Sequence, residues 1–385
     1  MPLSKIKKIE IVPRYASDGT TVPNVIVMSQ AGVAASVMGM ADKIITAESL
    51  TRLSRSIEKR IVGMSVNDLS AIDNELSVLK GDSSVIMSTS MAVARLAAKV
   101  SHRELYQQLR DECSFVGYGR KNFGLLVTLL ESDTQRLFAV IPNGVKHALV
   151  TEQVTKAIDL QLLLGKKIQT IRQVGVGVHG GYKVESVIDS RLWQLVRLSL
   201  DKSGLNKVVL GLDINANEHY DDVGKRYRLG NEASMTRIEL AAWMRMVGRQ
   251  YNIQMFIDPL SKKDWKYWSD LRQELNNAQI MVGLRSLSGS DQRLAQAHHA
   301  SALDVASCRT SDAKTVSGLL HFLMQSRHYG LSRMCSISAS ESEESFLVDV
   351  ALGIGAEFID IGGALGSEHS AKYNRLLTIA DQENL

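Results

Sequence analysis

The sequence predicts an α/β protein in which a barrel of alternating strands and helices follows a smaller α+β region. Residues 4–37 consist of extended segments separated by turns, and residues 47–110 show the apolar spacing of helices. After about residue 115, short apolar runs alternate with helix-length segments. Such repeated strand-then-helix units are typical of a (β/α) barrel, although a doubly wound open sheet would produce the same pattern.

The N-terminal region begins with the extended stretches KIKKIEIV and NVIVMSQAGVAASV, which the turn sequence SDGTTVP separates. We expect a strand hairpin here. The helical segments that follow are AESLTRLSRSIEKRIVG, VNDLSAIDNELSVL and SSVIMSTSMAVARLAAKVSHRELYQQLR. Strands followed by helices in this order predict an α+β domain.

The second region contains eight apolar runs that we interpret as strands. They are RLFAVI, IRQVGVGV, KVVLGLDI, IQMFID, AQIMVG, SALDVA, SRMCSIS and AEFIDI. No GxGxxG or Walker motif follows any of these runs, which argues against the nucleotide-binding form of an open sheet.

Composition excludes several classes of protein. The 45 Lys and Arg residues nearly balance the 41 Asp and Glu residues and form no long basic run, so we expect no nucleic-acid binding. No stretch approaches the roughly 18 apolar residues that a membrane span requires. The three scattered cysteines, Cys113, Cys308 and Cys335, give neither a disulfide framework nor a metal motif. We therefore predict a cytoplasmic protein.

Several segments resemble the enolase family in the correct order along the chain. They are MSTSMAVARLAAKVSHRELYQQL, GVGVHGGY, GLDINANEHYDD, FIDPLSKKDWKYW, CSISASESEESFLVDVALG and GSEHSAKYNRLLTIAD. The resemblance implies an enolase-like fold, with an α+β capping domain over residues 1–135 and a (β/α)8-type TIM barrel over residues 136–385. The family's proton abstraction next to a carboxylate needs carboxylate-bound magnesium, a lysine base and cationic support.

The resemblance also indicates that most of this chemistry is missing. It aligns Asp213 with a metal-binding aspartate and His179 with the catalytic acid of the family. Other residues stand at the remaining ligand, base and substrate positions: Ile257, Leu284, Arg285, Ala306, Ile337, Ser338, Ala339 and Asp360. Asp258 is a carboxylate next to a ligand position, but strand alternation should direct it away from the barrel mouth.

The surviving polar residues also have structural interpretations. Asp213 is a vestigial metal ligand by alignment, yet an aspartate near Asn215 more often caps a turn. His179 and His147 are possible remnants of the catalytic set, and His179 is more often a turn histidine in such a context. Trp265 and Trp268 could form an exposed patch for a partner, but their shared helix face favours core packing.

These observations predict a pseudoenzyme with the enolase fold that serves as a structural or protein-interaction subunit. We expect no catalytic residues, no metal site and no cofactor, and we expect protein partners, either a second copy or a larger complex. The alternative is an enolase-superfamily carbon–oxygen lyase with a remodelled site, which would use magnesium and combine Asp213, His179 and Asp360 in new roles. The sequence leaves open whether the chain is an enzyme.

Overall fold

A computed structural model describes most of the chain. The described residues are 4–39, 47–113, 122–142, 150–205, 208–229, 234–275, 280–338 and 341–383. Among them, no helix combines the length and apolarity that crossing a membrane requires.

The N-terminal region is the predicted α+β unit. Its antiparallel sheet has the order β1–β2–β3, formed by Ile6–Tyr15, Thr21–Ser29 and Ala34–Met38. Alternate residues of β2 are buried, as the period of two in a half-buried strand requires. Four helices follow: α1 (Ala47–Ile61), α2 (Leu69–Ser77), α3 (Ser83–Val100) and α4 (Leu105–Glu112).

The remaining strands alternate with helices. In chain order the strands are β4 (Gly124–Glu131), β5 (Arg136–Pro142), β6 (Tyr182–Lys183), β7 (Val209–Asp213), β8 (Tyr220–Asp221), β9 (Arg226–Tyr227), β10 (Ile253–Ile257), β11 (Ile280–Gly283), β12 (Val305–Cys308), β13 (Ser332–Ser336) and β14 (Phe358–Asp360). The helices are α5 (Val150–Ile168), α6 (Ser190–Lys202), α7 (Arg237–Tyr251), α8 (Trp265–Glu274), α9 (Asp291–His299), α10 (Val316–His328), α11 (Phe346–Ile354) and α12 (Ser367–Glu383).

Eight of these strands close into a barrel. Their order is β4–β5–β7–β10–β11–β12–β13–β14, and pairing of β14 with β4 completes the circle. Strand β5 runs antiparallel to both neighbours, because only residues 132–135 connect it to β4 and so short a connection permits only a hairpin. The predicted boundary at residue 135 therefore falls inside this hairpin, with the first barrel strand on its N-terminal side.

The barrel interior is filled by apolar side chains that form a separate core. Its members include Leu126, Phe138, Met255, Ile257, Val282, Leu284, Val305 and Met334. Two of them, Ile257 and Leu284, stand at positions where the resemblance implies metal ligands. Both side chains are buried and contain no oxygen, so neither can act as a side-chain metal ligand.

A buried carboxylate joins the N-terminal region to the barrel. Asp73 of α2 accepts a hydrogen bond from the hydroxyl of Ser90 at 2.5 Å and from the backbone N–H of Ser317 at 2.8 Å. The second contact satisfies a free amide in the first turn of α10, where a negative charge is favourable. Burial raises the pKa of Asp73 above its ordinary value. The two parts of the chain are thus docked through a polar contact as well as apolar packing.

Candidate functional site

The polar residues at the barrel mouth surround one buried arginine. The parallel strands β7 and β14 end here with Asp213 and Asp360, and the antiparallel strand β5 begins here with Arg136. Arg136 lies directly opposite Asp213 in the register of β5 and β7. Its Nη2 donates to Asp360 Oδ2 at 2.8 Å, and its Nε donates to Asp213 Oδ2 at 3.2 Å. A single guanidinium therefore bridges two carboxylates, and all three side chains are at most 4% exposed.

A second arginine donates hydrogen bonds to the carboxylate of Asp213. Nη1 of Arg285, which follows β11, lies 2.9 Å from Oδ1 and 3.1 Å from Oδ2 of that carboxylate. Burial alone would raise the pKa of Asp213, but the guanidinium groups of Arg285 and Arg136 outweigh burial and hold this pKa below its ordinary value. Asp213 is thus an ionised carboxylate whose two oxygens both accept hydrogen bonds from arginine.

Asp258 also lies near this cluster, contrary to the expectation from strand alternation. It follows β10 in the left-handed region, with φ of 47°, so the alternation of the strand does not extend to it. Its carboxylate accepts the backbone N–H groups of Leu284, Arg285 and Ser286 and the Ser286 hydroxyl, at 2.6–3.2 Å. It also lies 3.6 Å from Nη1 of Arg285. Asp258 therefore orients the turn that carries Arg285.

His179 is held by a carboxylate at the same mouth. Its Nδ1 lies 2.9 Å from Oε1 of Glu131, the last residue of β4, and its backbone N–H donates to Oε2 at 3.0 Å. Gly177 in the same loop permits this approach, because a Cβ there would lie 2.1 Å from Oε2 of Glu131. Burial would raise the pKa of Glu131, but His179 and Arg136 reverse the shift and lower it. The loop is thereby fixed to the top of β4.

Comparison with known proteins decides the family. The family model described as "Enolase, C-terminal TIM barrel domain" matches residues 135–384. This chain belongs to the enolase family. Its relatives include the enolase of Elusimicrobium minutum, which is 25% identical over 353 residues that cover 85% of this chain and 79% of the relative. The enolase of Pelagibacter ubique is 24% identical over 359 residues, with coverage of 86% and 81%.

These findings confirm the predicted family and the enolase-like fold. A third relative, the enolase of Helicobacter pylori strain J99, shows a similar distance, with 23% identity over 344 residues and coverage of 84% and 78%. Alignment over most of both chains at about a quarter identity is consistent with a retained architecture. It leaves wide scope for replacement of individual site residues.

The sixth barrel strand of this enolase-family chain is β12, which carries Ala306. Ala306 lies in the middle of β12 and packs in the outer core between barrel and helices, so it does not reach the mouth. The residue that follows the strand is Arg309, whose Nη2 pairs with Asp312 Oδ1 at 2.7 Å. The end of this strand therefore carries a paired arginine.

The seventh strand ends in an apolar and hydroxyl-bearing segment. Ile337 is buried, and the Ser338 hydroxyl lies 2.9 Å from the hydroxyl of Ser311. The backbone N–H of Ser338 donates to Glu341 at 2.7 Å. None of these groups carries a positive charge for an anionic substrate. Ala339 and His147 lie outside the described residues.

The other sequence candidates lie in the protein core. Trp268 is fully buried and Trp265 nearly so, which agrees with core packing. Cys308 and Cys335 lie opposite each other on the adjacent strands β12 and β13, and both are buried free thiols. Burial raises the pKa of Cys335 to about 12, so this thiol stays protonated at neutral pH.

The residues at the mouth do not fit magnesium. A magnesium ion requires about six oxygen ligands in near-octahedral geometry. Both oxygens of Asp213 face guanidinium groups, and Asp258 accepts three amides and a hydroxyl. No group of three His, Cys, Asp or Glu side chains placed to hold a metal occurs within the described part of the chain.

No motif in the sequence marks the residues that organise this cluster. Arg136 and Glu131 lie in an apolar stretch with no motif around them. The same holds for two hydroxyl residues of the network: Thr128, which accepts a hydrogen bond from Arg136, and Ser336, which donates one to Asp360. The available signal was the placement of Arg136 at the first position of an otherwise apolar predicted strand. A charged residue there must find a buried partner.

Replacement of Arg285 by Ala tests the contribution of the second arginine. We expect the free energy of unfolding to fall by about 2 kcal/mol, because Asp213 and Asp258 both lose a cation but Asp213 retains Arg136. Urea denaturation measures the change. Arg249→Ala, at an exposed residue of α7, is the control and should change stability by less than about 0.5 kcal/mol. Equal effects of the two variants would contradict a structural role for Arg285.

Proposed function

We propose that this enolase-family protein is a pseudoenzyme that acts as a structural or protein-interaction subunit without 2-phosphoglycerate dehydratase activity. The hydrogen bonding of Asp213 carries the proposal. The one aspartate that aligns with a magnesium ligand has both oxygens engaged by Arg136 and Arg285, so positive charge at this point comes from the chain itself.

The remaining charges at the mouth support the same conclusion. Asp360 pairs with Arg136 and accepts a hydrogen bond from the Ser336 hydroxyl at 2.7 Å. Burial would raise the pKa of Asp360, but Arg136 outweighs burial and lowers it, so the group is a fixed anion. A fixed anion opposes binding of a phosphorylated carboxylate. The charges neutralise one another instead of facing a substrate.

One observation favours the alternative, a lyase with a remodelled site. His179, Asp213 and Asp360 do share the mouth, and His179 forms a histidine–carboxylate pair with Glu131 of the kind that moves protons in many enzymes. In this candidate, His179 would be the acid–base group. The engagement of Asp213 and Asp360 by Arg136 leaves neither of them available for a metal or substrate, which weighs against it.

A coupled assay of 2-phosphoglycerate dehydration with excess magnesium tests the proposal, with an active enolase as the positive control. We expect no turnover above the rate without protein. Calorimetric titration of the protein with magnesium should show no site-specific heat. Turnover within about a hundredfold of the control enzyme would overturn the proposal, and activity that disappears in a His179→Ala variant would favour the remodelled lyase.

A further inference from the structure

The outer face of α7 carries an apolar stripe on the surface of the protein. Ile238 is 72% exposed and Met246 is 53% exposed, and the exposed Ala242 lies between them. Residues four apart share one helix face, so the three side chains form a continuous line. The opposite face of α7 already packs against the barrel through Leu240, Met244 and Val247. An outer face of a surface helix is ordinarily polar, so this stripe lacks the usual explanation of core packing.

A groove between α7 and α8 adjoins the stripe. It has a volume of about 210 Å³, and its lining includes Ile238, Ala241 and Tyr267 together with the buried Leu260 and Leu271. The small side chains of Ala241 and Ala242 allow another helix to approach the backbone of α7 closely. Stripe and groove together form a surface shaped for the apolar face of a helix.

Among the described residues, the unpaired charges on α7 and α8 are mainly positive. The Arg237 guanidinium stacks 3.4 Å from the ring centre of Tyr267, and no described residue gives it an ion pair or hydrogen bond. Arg249 and Lys266 are exposed on the same two helices and likewise have no partner among the described residues, whereas Arg245 is paired with Glu274. Against these three cations, the described residues of the two helices offer one unpaired carboxylate, Asp270, since Glu239 and Glu274 are paired with arginines. Stacking on Tyr267 fixes Arg237 with its N–H edge available to a carboxylate.

We propose that the surface formed by α7 and α8 binds an acidic amphipathic helix of a partner protein. The aliphatic face of that helix covers Ile238, Ala242 and Met246, and its carboxylates pair with Arg237, Arg249 and Lys266. A second copy of this chain that docked through the same surface would be a poor occupant, because the two surfaces would bring six cations together against two carboxylates. The inference rests on the proposed role as an interaction subunit and specifies the chemistry of the partner.

Site-specific photo-crosslinking in the cells that produce this protein tests the proposal on the full chain. A photoreactive amino acid replaces Met246, and the control places it at Val223, which is 93% exposed on the β8–β9 turn. We expect an adduct at position 246 whose crosslinked segment is an amphipathic helix with several carboxylates. An adduct with a second copy, a segment without that pattern, or no adduct beyond the Val223 control would each overturn the proposal.

The crosslinked segment, made as a synthetic peptide, then serves as the probe for purified variants. Arg237→Glu and Ile238→Glu should each weaken binding by about tenfold or more. The matched controls are Arg191→Glu and Leu198→Glu, which change an exposed arginine and an exposed apolar residue on α6. Equal weakening by variants and controls would contradict the proposal. Circular dichroism verifies that every variant is folded.

The lyase assay separates this inference from the function on which it rests. Absence of dehydratase activity together with a failed crosslink would contradict only the proposed binding surface. Dehydratase activity together with a specific adduct to an acidic amphipathic segment would contradict only the proposal of a pseudoenzyme.

Discussion

Replacement of Arg136 by Met is expected to lower the free energy of unfolding by about 4 kcal/mol at pH 7. The substitution retains much of the side-chain volume and removes the cation that bridges Asp213 and Asp360. Asp213 keeps Arg285, but Asp360 is left buried and ionised, with only the Ser336 hydroxyl and a backbone N–H as donors among the described residues. Uncompensated buried charge is one of the few changes that cost this much. Denaturation in urea, followed by fluorescence and circular dichroism, measures the loss.

The pH dependence of this loss identifies its cause. In the native protein the pKa values of Asp213 and Asp360 are lowered, so their stabilisation is present above the unfolded pKa of about 3.9 and is lost below it. In the variant, burial of Asp360 is no longer opposed by Arg136, so its pKa rises and the carboxyl protonates at higher pH. The difference between the two proteins should therefore shrink as the pH falls from 7 towards 4.

Arg191→Met is the control for this prediction, because Arg191 is exposed at the start of α6. We expect it to change stability by less than about 0.5 kcal/mol at any pH in the range. If Arg136→Met cost less than about 1 kcal/mol, or if its cost did not vary with pH, the buried ion pairs would not be what holds the mouth together.

Replacement of Lys372 by Met is expected to cost about 3 kcal/mol. Lys372 lies in α12 and is 1% exposed. Its Nζ is 2.7 Å from Glu341 Oε2 and donates to the carbonyl oxygens of Ser342 at 2.9 Å and Glu368 at 2.8 Å. Without the ammonium, the buried Glu341 keeps only the backbone N–H of Ser338 among the described residues, and the segment after β13 loses this contact with the last helix.

Urea denaturation of Lys372→Met and of the control Lys166→Met tests this second prediction. Lys166 is exposed on α5, so its replacement should have little effect. Limited proteolysis adds a local measurement, because we expect cleavage near residues 341–345 to accelerate in the Lys372 variant only. Unchanged proteolysis together with a small loss of stability would show that α12 does not depend on this contact.

Much of the fold could be predicted from local patterns. The period of two in β2 and the apolar runs of β7, β10 and β13 follow from residues within each segment. The change near residue 115, after which short apolar runs alternate with helix-length segments, separated the two regions. The antiparallel direction of β5 was less accessible. It depends on residues 132–135 forming a turn, and the N-terminal part of that hairpin, β4, was not recognised as a strand.

The candidate site was also only partly predictable from the sequence. By itself the sequence indicated which side-chain ligands of the resembling family are absent, since Ile257 and Leu284 carry no side-chain oxygen. Only the tertiary structure decided what replaced them, because Arg136 lies 77 residues from Asp213 and 224 residues from Asp360. The physical reason is that the barrel brings the ends of distant strands to one low-dielectric mouth. There a buried guanidinium and its carboxylates must satisfy one another, and no local pattern records that requirement.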